Sequence, residues 1–524
     1  MELDLVIENG WVADGISSSL YRGTIGIVGE TIDCIYEGSR HLRGRQIIDA
    51  TDFCVAPGFI DVNSHVDHFL FLDPVMEHKL KQGVTTEIGG NSGCSAYPWN
   101  GVHAFHIPDR REEFAWPSFG AFLEELEKHA IAPNFGSLVG HCSLSGKLQE
   151  TNASSSEAAG PREIRELLIR SLEEGAFGLS TRTDIQPGFE VSLSEIGELG
   201  KFVAKKNGVL SIALRNEADQ ILEALAEAVL VAGKSDVSLQ ISHFKTLDRT
   251  NWSKQERALE LIEKMRLLGM NINIDAFPYT VACAPLRVLM PPQLTRDEGK
   301  FREHSRRPSV LLEVEDYVTA LFPEPSSYRS VTFPYLENQR HQHLRGMDLY
   351  SAAKLENRDP SSLILSLAIS EGLNRFVYYD CISRSNKVAT IRDSATMVAS
   401  DAFPTSNPSY FKNSIIHPRT FGTFPQYLSD FVYRDHILTL PSAIKKITSV
   451  PAHKFGLCKR GVISEGAYAD ITIFDPKSLA AGASVSNPCG QPTGIGHVIV
   501  NGRIVLEHGE FTGVFPGKVL RRGA

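Results

Sequence analysis

Residues that could bind a metal ion follow the first strongly apolar run of the sequence. Residues 57–65 read PGFIDVNSH, in which a histidine stands two positions after an asparagine. Residues at positions i and i+2 share one face of a β-strand, so two imidazoles at this spacing could bind one ion. The pattern is close to PGFIDxHxH, a metal-binding signature at a strand end. Asn63 occupies the first histidine position, and His65 alone keeps an imidazole.

A scaffold of alternating strands and helices must position these residues. Helical patterns, with apolar residues three and four positions apart, separate eight apolar strand-like runs. The strands are predicted at 56–62, 85–89, 136–139, 178–180, 209–214, 238–241, 271–276 and 396–400. Eight such units favour an α/β fold of the (β/α)8, or TIM-barrel, type, in which chemistry takes place at the carboxyl ends of the strands.

The two ends of the chain differ from its middle. Short β-rich runs separated by Gly, Asn and Asp turns fill residues 1–56 and recur in 462–524. We expect one small β-sandwich domain assembled from both ends, around a barrel that spans 57–461. Residues 284–345 are polar, contain several prolines and interrupt the alternation, so they are predicted to form an inserted subdomain.

The composition limits the kinds of partner that we expect this protein to bind. The chain has 524 residues, 42% of them apolar, and a net charge of −9, which argues against nucleic acid because no basic surface would neutralise phosphates. No window approaches the roughly 18–20 apolar residues of a membrane helix, and no basic, apolar leader begins the chain. Eight scattered cysteines favour reduced thiols. We expect a cytoplasmic protein that acts on a small molecule, and a homo-oligomer stays open.

Several ordered blocks of the sequence are similar to one enzyme family. They include PGFID at 57–61, GVTTE at 83–87, LVGH at 138–141, GAFGLST at 175–181, ISHFK at 241–245, SDA at 400–402 and HPRTFGTFP at 417–425. In this order the blocks resemble the amidohydrolase superfamily, and within it the N-acyl-D-amino-acid deacylases, or D-aminoacylases. The resemblance covers most of the chain. It implies a TIM-type barrel, a catalytic metal and hydrolysis of the amide bond of an N-acyl amino acid.

The resemblance transfers only half of the family's metal and catalytic positions. Its three missing ligands correspond to Asn63, Ser92 and Ala213, which replace two histidines and a bridging cysteine. It implies that His65, His243 and Asp401 are kept. One zinc ion bound by these three residues would leave a position open for water. Asp401 would then act as general base and acid on that water and on the leaving amine.

The positions that bind the substrate's carboxylate are better kept. The resemblance places Lys245, Tyr279 and Arg419 around the α-carboxylate, and an ammonium, a phenol and a guanidinium suit an acidic head group. A tyrosine expected in the fourth-strand motif is Ile185 here, which indicates a different substrate preference from that of a typical member.

Two hypotheses of different class stay open. In the first, the protein hydrolyses an N-acyl amino acid or a related amide with a single zinc ion. In the second, it is a metal-free relative that binds a carboxylate ligand, carries out a non-hydrolytic reaction or has no catalytic activity. The altered positions Asn63, Ser92 and Ala213 are what the second hypothesis would produce, and the retained carboxylate-binding residues suit both. We favour the first hypothesis, hydrolysis, and keep the second as the alternative.

Overall fold

Alternating strands and helices form the middle of the chain, and strands predominate at its two ends. The computed structural model describes residues 2–98, 115–145, 161–183, 191–295, 298–402 and 416–523. The strands are β1 (Leu3–Val12), β2 (Tyr21–Val28), β3 (Thr31–Glu37), β4 (Gly44–Asp49), β5 (Cys54–Pro57), β6 (Phe59–Asp61), β7 (Val84–Gly89), β8 (Asn134–Ser137), β9 (Val139–Gly140), β10 (Gly178–Arg182), β11 (Val209–Ala213), β12 (Ser238–Ile241), β13 (Ile272–Ala276), β14 (Val281–Pro285), β15 (Val331–Thr332), β16 (Phe376–Asp380), β17 (Thr396–Val398), β18 (Ile471–Phe474), β19 (Ile495–Val500), β20 (Arg503–Glu507) and β21 (Glu510–Phe511).

The helices lie mainly between the strands of the middle region. They span Glu77–Leu80, Phe119–Lys128, Pro161–Glu173, Leu193–Lys205, Ile221–Ser235, Lys254–Leu267, Pro292–Thr295, Glu298–His304, Pro308–Leu321, Leu349–Glu356, Pro360–Glu371, Arg384–Arg392, Arg419–Leu428, Leu440–Ile447 and Ser449–Phe455. Several begin at capping side chains; Ser192, for example, accepts the backbone N–H of Glu195. In the described residues, none of these helices combines the length and the apolar character needed to cross a bilayer.

Parallel strands in the described residues form the predicted TIM-type barrel. One sheet contains β6, β7 and β8, and a second runs from β9 through β10, β11, β12 and β13 to β17. Strands β8 and β9 are separated by Leu138 alone and together make the third of eight barrel strands. A parallel bridge between Ser64 and Ala402 joins the first barrel strand to the last. The barrel predicted from the alternation is therefore confirmed.

The first predicted strand, 56–62, is divided between two sheets. Strand β5 pairs with β1 and β18 in the β domain, whereas β6 pairs with β7 in the barrel. Gly58 lies between them, and a Cβ atom at this position would overlap the side chain of Thr85. The close approach of the two sheets thus requires a residue without a side chain.

The β domain is assembled from both ends of the chain, as predicted. Within the described residues it is one nine-stranded sheet, in which β18 to β21 from the C-terminal end join β1 to β5 from the N-terminal end. Leu5, Ile25, Ile471 and Ile499 from the two ends are buried in one apolar cluster. Folding of this domain therefore brings residues more than 400 positions apart into one core.

The insertion is larger than the predicted 284–345. Strands β14, β15 and β16 form an antiparallel sheet, so the subdomain extends from residue 281 to at least 380. Leu286, Val314, Leu363 and Val377 share its apolar core. The sequence pattern ended the insertion too early because helix Pro360–Glu371 and strand β16 return to the apolar character of barrel elements.

Candidate active site

A cavity of about 240 Å³ opens at the carboxyl ends of the barrel strands. Its lining includes residues of the loops that follow β11, β12 and β17 and residues of strand β14 in the insertion. Polar and charged residues of its lining include His65, Glu217, His243, Lys245, Asp401 and Arg419. The cavity is thus in the region where barrels of this type carry out chemistry.

Asp401 lines this cavity and lies three residues beyond the end of β17. One carboxylate oxygen is 2.8 Å from Nη1 of Arg419, and the other is 3.3 Å from Nε2 of His65. Burial alone would raise the pKa of Asp401, but the charge of Arg419, with those of His243 and His65, holds this pKa well below its ordinary value. The carboxylate is therefore ionised at neutral pH.

Two hydrogen-bond arrangements fix the position of Asp401. Its backbone N–H donates to the carbonyl of Asn63 at 2.8 Å, which ties the last barrel strand to the first. Ser400 donates its backbone N–H to Asp61 at 3.0 Å, and the ammonium of buried Lys79 lies 2.5 Å from the same carboxylate. Through Asp61 and Ser400, this buried ion pair is linked to the ends of β6 and β17.

A second cluster of charges surrounds His243 on the loop after β12. Glu217 accepts from Lys245 at 2.6 Å and lies 2.9 Å from Nδ1 of His243. Burial would raise the pKa of Glu217, but the charges of Lys245 and His243 lower it overall. One imidazole nitrogen of His243 is therefore already engaged by a carboxylate.

The backbone is left-handed at three of the positions that the family resemblance aligns with metal or catalytic groups. Ser92, His243 and Asp401 have φ values of 51°, 39° and 47°. Residues other than glycine rarely adopt this conformation, and such residues cluster at functional sites. Ser92 thus shares this backbone conformation, although its side chain differs from the cysteine that the resemblance implies.

Asn63 is engaged in the barrel interior. Its amide donates to Asp275 at 3.0 Å, and Asp275 also accepts from the backbone of His243 at 2.9 Å and from Gln240 at 2.5 Å. Burial raises the pKa of Asp275. Ala213, at the end of β11, is fully buried and offers no ligand atom.

The donor set at the barrel mouth does not fit a zinc ion. Among the described residues, no three His, Cys, Asp or Glu side chains here bring their ligand atoms within 4.8 Å of one another. His65 contacts Asp401, and the contact of His243 Nδ1 with Glu217 leaves Nε2 as the one nitrogen of that ring available to a metal. The guanidinium of Arg419 already supplies a positive charge to Asp401. Ser92 and Ala213 offer a neutral hydroxyl and a methyl group, and neither is a strong zinc ligand.

Two of the three predicted carboxylate-binding residues share the cavity. Lys245 and Arg419 both line it, and each is almost completely buried. Tyr279 is not among the lining residues, and its hydroxyl donates to the carbonyl of Pro418 at 3.4 Å. Ile185 lies outside the described residues, so the prediction about it stays open.

Sequence reasoning missed three residues in and around the site: Phe277, Lys387 and Glu217. Among the described residues, three cations approach the ring of Phe277, at 4.6 Å for Lys387, 5.0 Å for Arg419 and 5.9 Å for Lys245. Burial, followed by the charge of Lys245, lowers the pKa of Lys387 to about 7. Glu217 stands four residues after the end of β11, and this position was its only signal in the sequence.

The barrel, the cavity at its strand ends and the β domain from both termini are the arrangement that the resemblance to amidohydrolases predicts. A model of the amidohydrolase family matches residues 417–506. The chain is 29% identical to an N-acyl-D-glutamate deacylase of Alcaligenes xylosoxydans xylosoxydans, over 100% of this chain and 97% of that protein. It is 27% identical to a D-aminoacylase of the same organism, over 99% and 98% of the two chains.

A solved structure agrees with these relatives. The crystal structure of N-acyl-D-glutamate deacylase from Bordetella bronchiseptica, complexed with zinc and a phosphonate inhibitor, matches with a TM-score of 0.81 and 26% identity. The match covers 99% of this chain and 100% of that one. Over almost its whole length the chain is therefore similar to deacylases of the amidohydrolase kind.

Proposed function

We propose that this protein hydrolyses the amide bond of an N-acyl amino acid whose carboxylate binds in the cavity at the barrel mouth. The observation that carries the proposal is the placement of Lys245 and Arg419, two buried cations that line one cavity and approach one ring, Phe277. A carboxylate that enters this cavity gains two charge-assisted partners. The relatives named for N-acyl-D-glutamate deacylation and for D-aminoacylase activity favour a D-amino acid.

Asp401 is the proposed general base. In the free enzyme, Arg419 keeps its carboxylate ionised but weakly basic. A substrate carboxylate that binds Arg419 draws part of the guanidinium charge away from Asp401 and so raises the pKa of this base. Asp401 then takes a proton from water as the water attacks the amide carbonyl, and it returns the proton to the leaving amine. Binding and activation are thereby coupled.

The zinc of the related deacylase would polarise an amide carbonyl and acidify a water molecule. Because the described donor set does not fit this ion, the steps assigned to Asp401, Arg419 and Lys245 do not depend on it. We further propose that this cavity has lost the capacity to bind zinc. It keeps Lys245 and Arg419, the residues that bind the substrate carboxylate.

One observation favours a second function. The ion pair of Asp401 with Arg419, at 2.8 Å, leaves both groups partnered without substrate. A protein that only binds an N-acyl amino acid, without hydrolysing it, would need Lys245 and Arg419 and no free base. Binding without turnover is therefore the alternative to be tested.

Release of free amine from a panel of N-acyl-D- and N-acyl-L-amino acids distinguishes these functions. We expect turnover of D-substrates by chelator-treated protein, and Asp401→Asn should lower kcat by about 10²–10⁴-fold. Asp236→Asn is the matched control, because this exposed aspartate shares a left-handed backbone, with φ of 53°. Calorimetric binding of the same compounds without amine release would support the second function and contradict the first.

A further inference from the structure

A separate group of potential metal ligands lies on the β domain, away from the cavity. His497 on β19 and Glu507 on β20 are opposite each other in the antiparallel ladder. His508 is the next residue and begins the turn that leads to β21. None of the three residues lines the barrel cavity. The hairpin therefore presents two imidazoles and a carboxylate at one place.

The side chains already converge. One ligand atom from each of the three residues lies within 4.8 Å of the other two, and the two imidazole rings have their centroids 4.8 Å apart. Zinc binds histidine nitrogen at about 2.0–2.1 Å and carboxylate oxygen at about 2.0–2.2 Å. Glu507 and His508 are exposed, so small rotations of their side chains would bring all three ligand atoms to these distances.

The buried member of the group has an unsatisfied nitrogen. His497 is 8% exposed, and in the described part of the chain its buried Nδ1 has no hydrogen-bond partner. Buried polar atoms normally have a partner, and such an exception calls for an explanation. A metal ion bound by this imidazole, together with the two neighbouring side chains, would provide one.

We propose that His497, Glu507 and His508 form a zinc site on the β19–β20 hairpin. Two imidazoles and one carboxylate are a zinc ligand set, whereas calcium and magnesium prefer oxygen ligands alone. Three protein ligands leave one coordination position for water or an exogenous anion. Bound zinc would link Glu507 and His508, at the exposed end of the hairpin, to buried His497 in the nine-stranded sheet.

If zinc binds at the hairpin, the zinc content of the purified protein does not show whether the barrel mouth also binds this ion. A measurement of one zinc per chain would ordinarily be assigned to the catalytic cavity in this family. The donor sets of the two places predict the opposite assignment, because the cavity does not fit zinc and the hairpin does. Metal content alone therefore cannot identify the site, and ligand variants are needed.

Titration of the metal-stripped full-length protein with Zn²⁺, against a chromophoric chelator, tests the proposal. We expect one equivalent to bind to the wild type and to raise its Tm. His508→Ala and Glu507→Gln should each weaken binding by roughly tenfold or more and diminish the rise in Tm. Both substituted residues are exposed, which avoids the disruption expected from replacing buried His497.

Two sets of controls separate this site from others. His436→Ala removes another exposed histidine with nearly the same left-handed φ, 50° against 51° for His508, and should leave zinc binding unchanged. His65→Ala and His243→Ala should also leave it unchanged. The proposal is overturned if the wild type binds no zinc, if the hairpin variants bind it as tightly as the wild type, or if the barrel variants abolish binding.

Discussion

At the scale of single residues, the site is a balance of charges around one aromatic ring. In the described residues, three cations approach the ring of Phe277: Lys245, Lys387 and Arg419. Glu217 contacts Lys245, and Asp401 contacts Arg419. When all five groups are ionised, one positive charge is in excess. A ligand carboxylate would neutralise this excess, whereas in the free protein the lowered pKa of Lys387 relieves it.

Lys387 gives a prediction about stability and pH. Burial lowers its pKa in the folded protein to about 7, whereas an ordinary lysine has a pKa of about 10.4. Between these pH values the unfolded chain binds a proton that the folded protein does not, so this residue makes stability rise with pH. Near pH 6 the cost of burying the charge is fully present. Lys387→Met should therefore be more stable than the wild type by roughly 2–5 kcal/mol at pH 6.

Urea unfolding at pH 6, 8 and 9.5 measures this effect. The advantage of Lys387→Met should shrink steadily as pH rises toward the unfolded pKa. Lys201→Met, at an exposed lysine, serves as the control and should show no such trend. The prediction is wrong if the free energies of unfolding of Lys387→Met and the wild type differ by the same amount at all three pH values. That result would show that folding does not lower the pKa of Lys387.

At the scale of elements, the sequence predicted the strands better than their partners. The apolar runs located all eight barrel strands, and the PGFID block located the end of the first. The contact of His65 with Asp401 follows from the barrel, because closure brings the first and last strands together. The partners of Asn63 and His243 could not be predicted, since Asp275 and Glu217 reach them only through the fold.

Gly58 connects the β domain to the first strand of the barrel. It separates β5 from β6, and a Cβ atom there would overlap Thr85. Gly58→Ala should destabilise the protein by about 1–3 kcal/mol, as overpacking does elsewhere. The substitution should also lower activity, because β6 leads directly to Asn63 and His65.

Thermal and urea unfolding, read beside the rate of amine release, would check this prediction. Gly197→Ala is the control, because this glycine lies within helix Leu193–Lys205 with open space around its Cβ position. Alanine there should stabilise the helix by about 0.5–1 kcal/mol. If Gly58→Ala were as stable as the wild type, the two sheets would not be packed as closely as the structure indicates.

At the scale of the whole molecule, the cavity joins two parts of the chain. Its lining comes from the loops of the barrel and from Ala282, Cys283 and Ala284 in strand β14 of the insertion. The apolar core of the insertion also contains Leu247 and Phe277, which follow barrel strands β12 and β13, so the two parts pack directly against each other. A carboxylate ligand bound to Lys245 and Arg419 fills the space between the two parts. Ligand binding should therefore stabilise β14 as well as the barrel loops.

Hydrogen–deuterium exchange tests this link between the cavity and the insertion. A saturating N-acyl amino acid, at about 100 times its Kd, should stabilise the folded protein by about 2.7 kcal/mol and slow exchange in peptides that cover Val281–Pro285. Lys245→Met should abolish the slowing at the same ligand concentration, since it removes one of the two cations that hold the carboxylate. Lys234→Met, at an exposed lysine on helix Ile221–Ser235, should leave it intact. Slower exchange confined to the barrel loops would show that the ligand binds the barrel alone, and that the insertion does not respond to occupancy of the cavity.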